Sequence, residues 1–238
     1  VIDLTSVWFL LGTIGMAAGT VPPLWRLATD PRDRAYYAVL AGVTGFAAVA
    51  YLAMFFDIGR IPVGEGVLYV PRYVDWLVTT PLLVLFLGML CRPDRRIYTA
   101  LVGVDVVVIG AGVAAGLLPD PYGLAAYVVG CVAYVGLLYL LVVVLPQQAT
   151  LHGDRVDAVF TKLRNLTVVL WTLYPVVWIL GPLGAGLLQP GTEIMVVTYL
   201  DLISKVGFVA MAVNGADALD QLRTGAALAD SAELSTAD

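Results

Sequence analysis

Lys205 and Asp201 stand four residues apart in the apolar stretch from Thr192 to Val213, so both side chains project from one helix face. An amine at bilayer depth is costly, and charges kept there mark ligand or ion sites. Asp75 lies in a second apolar segment, one turn after Arg72, and Thr79 continues the same face. One buried lysine opposite two acids has the electrostatics of a protonated Schiff base with its counterions. Arg72 and Asp75 alone would also read as a structural ion pair. With Lys205 and Asp201 they form two cations and two anions that neutralise one another, so loss of any member leaves an uncompensated buried charge.

Aromatic residues supply the walls of such a site. Trp171, Tyr174 and Trp178 share one face of a helix, and Trp76 adjoins Asp75. A stripe of this kind serves ordinary core packing in many helices. At the depth of the lysine it would box in a long, flat, apolar ligand, with Gly112 and Gly130 leaving room for one end. Pro81 and Pro175 fall deep inside apolar segments, where each removes a backbone hydrogen bond and favours a kink. Beside its aromatic neighbours, Pro175 reads as packing shape or as a hinge.

These residues need helices to hold them, and the composition provides helices. Of the 238 residues 60% are hydrophobic and 13% charged, against roughly 25% charged in soluble domains. A spanning helix takes about 20 residues, which leaves room for seven: 3–26, 34–57, 70–91, 96–118, 122–145, 157–181 and 191–220. The fold expected is an all-α, seven-helix membrane bundle. No segments alternate like the strands of a membrane barrel. Arg60–Val63 and Val67–Tyr69, around Gly64-Glu65-Gly66, read as a short external β-hairpin between the second and third helices.

Residues 1–222 form one domain, and 223–238 an acidic tail expected to be disordered. Arg26, Arg32, Arg34, Arg92, Arg95, Arg96, Arg155, Lys162, Arg164 and Arg223 cluster at alternate helix ends, against only Arg60 at the others. The positive-inside rule puts the N-terminus outside the cell membrane and the C-terminus in the cytoplasm. The N-terminal run lacks a basic leader region and reads as a retained helix. Cys91 and Cys131 read as free thiols, and His152 as a solvated loop residue without a second metal ligand near it. The net charge of −5 gives no sign of nucleic-acid binding.

Three stretches carry a specific resemblance. They are Arg72-Tyr73-Val74-Asp75-Trp76-Leu77-Val78-Thr79-Thr80-Pro81; Leu163-Arg164-Asn165-Leu166-Thr167-Val168-Val169-Leu170-Trp171 with Tyr174-Pro175; and Leu200-Asp201-Leu202-Ile203-Ser204-Lys205-Val206-Gly207-Phe208. Together they resemble the archaeal microbial rhodopsins over all seven helices. The resemblance implies a photoreceptor, not an enzyme, with all-trans retinal on Lys205 as a protonated Schiff base. It makes Asp75 the primary counterion and proton acceptor, Asp201 the second acid, and Arg72 the gate to the outside. Tyr51 would help to hold Asp201. Trp76, Thr79, Val108, Gly112, Gly130, Tyr134, Trp171, Tyr174, Trp178 and Ser204 would line the pocket.

Within that family the chain resembles the sensory rhodopsin II (phoborhodopsin) group, with features of the middle rhodopsins. Pumps carry a proton-donating acid where this chain has Phe86, eleven residues past Asp75 and about 16 Å along the helix. Without a donor the photocycle is expected to be slow, which suits a sensor. The segment 181–193 offers only Glu193 of the paired acids that pumps use for release. Ser204 keeps the hydroxyl that precedes the retinal lysine in the sensory group, where threonine is usual. Asp105 departs toward the pumps and reads as an isolated structural acid. The alternatives are an outward proton pump and a receptor for a diffusible ligand, and the latter leaves Lys205 unexplained. Asp75 would occupy the anion's place in a chloride pump. The sensory resemblance implies a two-helix membrane transducer on the outer face of the sixth and seventh helices, with Tyr199 in the contact. A lipid-anchoring role fits Tyr199 equally on position alone, and a homo-oligomer stays open.

Overall fold

The computed structural model describes residues 4–63, 66–149 and 152–224. Seven helices are long and apolar enough to cross a membrane: Leu4–Thr29, Pro31–Phe55, Val70–Cys91, Arg95–Leu117, Tyr122–Ala149, Asp154–Leu180 and Pro190–Asn214. They are the first to seventh helices of a multi-pass membrane protein. Backbone groups in a bilayer must be satisfied within each segment, which is why apolar runs of this length become helices. Pro71 and Pro190 sit in first turns, where the missing N–H costs nothing. Arg92, in the left-handed region at φ +46°, ends the third helix, and its N–H bonds the Gly88 carbonyl.

Several expected boundaries are corrected. The first helix continues through Pro22 and Pro23 to Thr29, and the fifth reaches Ala149 rather than 145. The seventh was expected to be continuous over 191–220. It ends at Asn214, a turn follows, and residues 217–224 form a separate short helix. Wide π turns interrupt the fifth helix at Leu140–Val144 and the seventh at Leu202–Gly207. Between the second and third helices, Arg60–Val63 pairs antiparallel with Gly66–Tyr69, Arg60 opposite Tyr69. The hairpin tip at 64–65 lies outside the described residues.

Consecutive helices pack side by side, and the first also packs on the seventh, closing the ring. Small residues permit the closest approaches. A Cβ on Gly15 would stand 2.5 Å from Leu202, and one on Gly19 2.9 Å from Val206, both on the seventh helix. On the second helix the ring of Tyr51 occupies the space that a Cβ on Gly12 would need, at 2.1 Å. The half of the bundle around Phe86 is an apolar layer. Phe86, 2% exposed, meets Tyr36 and Phe208 edge to face at 6.0 and 5.7 Å.

Two readings of the end of the bundle that carries His152 and Arg223 are corrected. His152 is half-buried, and its Nε2 lies 2.8 Å from the Cys91 carbonyl oxygen, so the connection after the fifth helix is tied to the end of the third. Arg223, assigned to the disordered tail, is helical and pairs with Asp33 of the second helix at 3.4 Å and with Asp220. The remainder of that tail, 225–238, lies outside the described residues.

The Gly12–Tyr51 contact has a measurable cost if filled. Gly12→Ala must displace the Tyr51 ring, and strain of this kind destabilises by about 1–3 kcal/mol. Gly103→Ala meets no atom within 4 Å and should be neutral or slightly stabilising, since alanine is the better helix former. Thermal unfolding in one detergent compares the two; equal midpoints would show that the contact is slack.

Candidate functional site

Asp201 is the most constrained group in the interior. It is 1% exposed and accepts hydrogen bonds from Tyr174 (2.6 Å), Tyr51 (2.7 Å) and the indole N–H of Trp76 (3.2 Å). Those donors come from the sixth, second and third helices, so four helices meet at one carboxylate. Lys205, also 1% exposed, directs its Nζ between Asp75, to which it donates, and Asp201 Oδ1 at 3.8 Å. An ionised lysine this deep requires such partners, because its desolvation exceeds what one distant charge returns. Local backbone contributes as well: the π turn Leu202–Gly207 carries Ser204 and Lys205, both buried. π turns in helices recur at functional sites.

Arg72 departs from the sequence reading. It pairs with Glu193 of the seventh helix (Nη1 to Oε1, 3.6 Å) and lies over the Tyr69 ring at 5.6 Å. Neither of the described ion pairs of Asp75 and Asp201 is with Arg72; both are with Lys205. The interior set is therefore two cations and three anions, not the self-neutralising four expected from the sequence. Arg72 Nε and Nη2 and Asp75 Oδ1 are buried without a protein hydrogen-bond partner. Buried polar groups of this kind are normally met by ordered water or a ligand.

From Lys205 a cavity runs across the bundle. It is lined by Trp76, Val108, Gly112, Gly130, Tyr134, Trp171, Tyr174, Trp178 and Ser204, with Arg72 and Asp201 at the charged end. Asp75, Tyr51 and Thr79 are not among the lining residues. Asp75 is reached through Lys205, Tyr51 stands behind Asp201, and Thr79 donates back to the Asp75 carbonyl at 2.8 Å. The threonine on the wall is its neighbour Thr80, about 100° further around the helix. Asp105, expected to be isolated, is not: the Thr80 hydroxyl donates to it at 2.7 Å, and it too lines the cavity.

Tyr127 and Cys131 were not assigned to the pocket from sequence, yet they line the wall with Gly130 and Tyr134. The signal was available in the spacing 127, 130, 131, 134, one helix face. The Tyr127 ring stacks on Trp178 at 5.1 Å and 19°, and its hydroxyl donates to the Pro175 carbonyl at 3.0 Å. Tyr73 accepts from the Trp178 indole at 3.3 Å, and Tyr134 shares a hydrogen bond with Thr172 at 2.9 Å. Tyr199 is remote from the cavity and 51% exposed, and its ring lies 5.4 Å from that of Trp8.

The residues fit a long conjugated aldehyde. One end of the cavity offers a primary amine with two counterions, and the walls are indole and phenol rings. Beside Gly112 at the far end, a Cβ would meet nothing within 4 Å.

Comparison with known proteins places this arrangement. Residues 3–219 match the family described as bacteriorhodopsin-like protein. Sensory rhodopsin-2 of Halobacterium salinarum is 49% identical, with 98% of this chain and 96% of that protein aligned. Sensory rhodopsin-2 of Natronomonas pharaonis is 40% identical, covering 92% and 91%. Bacteriorhodopsin of a Haloterrigena strain is 39% identical, again covering 92% and 91%. The crystal structure of thermophilic rhodopsin from Rubrobacter xylanophilus superposes with a TM-score of 0.87 at 35% identity, covering 92% of this chain and 98% of that one. The chain is a member of the bacteriorhodopsin-like family.

Proposed function

We propose that this protein is a membrane light sensor that carries retinal on Lys205 and signals to a two-helix transducer, as in phototaxis. The observation that supports it best is the buried Lys205 amine between Asp75 and Asp201 at the head of an aromatic cavity. Retinal held there as an all-trans protonated Schiff base supplies light absorption and a change of shape on isomerisation. The protein's own groups handle the proton and the movement. Three donors occupy the Asp201 carboxylate, so its oxygens are already engaged by protein groups. Asp75 keeps Oδ1 unpartnered and is the acceptor of the proton from Lys205 Nζ.

Outward of Asp75, the Arg72–Glu193 pair closes the extracellular side. Inward, Phe86 stands against Tyr36 and Phe208, none of which carries a carboxylic acid to donate a proton, so return of the proton waits for water from the cytoplasm. A slow return gives a long-lived signalling state and works against pumping, the alternative reading. Tyr174, within 3.3 Å of the Ser204 hydroxyl, connects the lysine turn to the sixth helix. Pro175, next to it, is the point where that helix tilts. In the orientation given by the positive-inside rule the N-terminus is outside. The transducer would dock on outward apolar strips: Val169, Leu173 and Val176 on the sixth helix, Tyr199 and Ile203 on the seventh, all exposed in the monomer.

Pigment formation tests the core of this reading. Lys205→Ala should form no visible pigment with all-trans retinal. Asp75→Asn should form one shifted to the red, because the dark cation loses the negative charge that stabilises it more than the excited state. A normal band in the first variant, or unchanged colour in the second, would sink these assignments.

Flash photolysis tests the slow return. Azide, a diffusible proton carrier, and Phe86→Asp should each accelerate recovery of the dark absorption several-fold. Recovery within milliseconds in the wild type, insensitive to azide, would favour the pump.

Docking is checked by co-purification with a transducer encoded beside the gene. Tyr199→Ala should weaken capture; capture that ignores both Tyr199 and the Val169–Val176 strip would place the partner elsewhere.

A further inference from the structure

The cytoplasmic start of the sixth helix lacks a cap of its own. Its N-cap residue, Gly153, contributes no side chain, and the first turn leaves N–H groups with no partner inside the helix. The partner comes from 66 residues along the chain. Gln221 Oε1 accepts from the backbone N–H of Arg155 (3.1 Å) and of Val156 (3.3 Å). Gly153 makes the space: its φ is +104°, and a Cβ there would stand 2.5 Å from Gln221 Nε2.

The short helix 217–224 that carries Gln221 is anchored on two further sides. Ala218, Leu219 and Leu222 are 1%, 4% and 2% exposed, in one cluster with Val156 and Phe160 of the sixth helix. Arg223 reaches Asp33 at the start of the second helix. One segment thus spans the cytoplasmic ends of the second, sixth and seventh helices.

We propose that Gln221 is a positioning residue that holds the cytoplasmic end of the sixth helix closed, and that this hold limits access of water and protons toward Lys205 from that side. The consequence for the light cycle rests on the function proposed above; the hold itself does not. Opening the sixth helix outward must break both Gln221 bonds and disturb the apolar cluster that Val156 and Phe160 share with Leu219 and Leu222, so the closed state is favoured. The glutamine oxygen contributes through geometry, as an N-cap side chain does, although it arrives from another helix.

The full-length protein in membranes gives two readouts. Backbone hydrogen exchange over 154–160 in the dark should quicken about tenfold in Gln221→Ala, the size of a lost helix cap. Gln221→Glu, which keeps the acceptor and adds a charge favoured at a helix N-terminus, should retain wild-type protection. Recovery of the dark absorption after a flash should quicken about threefold in Gln221→Ala and not in Gln221→Glu. Unchanged exchange in Gln221→Ala overturns the hold whatever the flash data show. Faster exchange with unchanged recovery overturns its control of proton access. Should Phe86→Asp also leave recovery unchanged, the slow-return reading fails separately, and the exchange result still decides the hold. A Gln221→Ala protein that does not fold would be replaced by Gln221→Met, which keeps the side-chain bulk without the acceptor oxygen and carries the same expectations.

Discussion

The bundle is organised around the ionised amine of Lys205 and the two carboxylates that face it. Desolvating these charges costs several kcal/mol each even after the protein relaxes. That cost is offset only while Asp75 and Asp201 stay in place with their hydrogen bonds made. Much of the surrounding sequence serves this one requirement. Tyr51 reaches Asp201 because Gly12 leaves the first helix bare beneath its ring. Trp76 and Tyr174 serve twice, as donors to Asp201 and as edge-to-face neighbours 5.3 Å apart on the cavity wall. A change at any of these positions acts on the charge set as well as on packing.

Asymmetry between the two acids gives the cluster a direction. Asp201 is committed to three donors from three helices, whereas Asp75 has one oxygen on Lys205 and one without a partner. The two carboxylates thereby have unequal surroundings: one is held by three donors, and the other keeps an oxygen without a protein partner. The same division runs along the molecule. Charged groups gather in the half of the bundle that carries Arg72 and Glu193, and an apolar cluster around Phe86 occupies the other half.

What could be read from sequence was what depends on residue type and on spacing within one helix. Seven apolar runs, the Asp201–Lys205 face and the Trp171–Trp178 stripe were legible because 3.6-residue periodicity fixes each locally. The Arg72–Glu193 pair was not: the nearer acid on the same helix, Asp75, was the obvious partner, and only the approach of two side chains across the interior shows otherwise. Thr79 was chosen over Thr80 because it continues the Asp75 face, while the cavity lies one residue around. Tyr127 and Cys131 had the right spacing but no charge to draw notice. Gln221 capping Arg155 and Val156 lies beyond any local pattern, since the bond joins segments 65 and 66 residues apart.

The wide turn at Leu202–Gly207 has a consequence for how the seventh helix can vary. An extra residue in one turn advances the angular phase of everything beyond it by about 100°. The N-terminal portion, ending at Asp201, and the portion beginning at Phe208 therefore obey separate registers. Asp201 faces its tyrosine and indole donors in one register, and Phe208 faces Phe86 in the other. The turn acts as a splice: each half can drift in sequence to suit its own neighbours without rotating the other half out of alignment. An insertion or deletion elsewhere in this helix has no such joint to absorb it, and would turn either the acid or the phenylalanine away from its contacts.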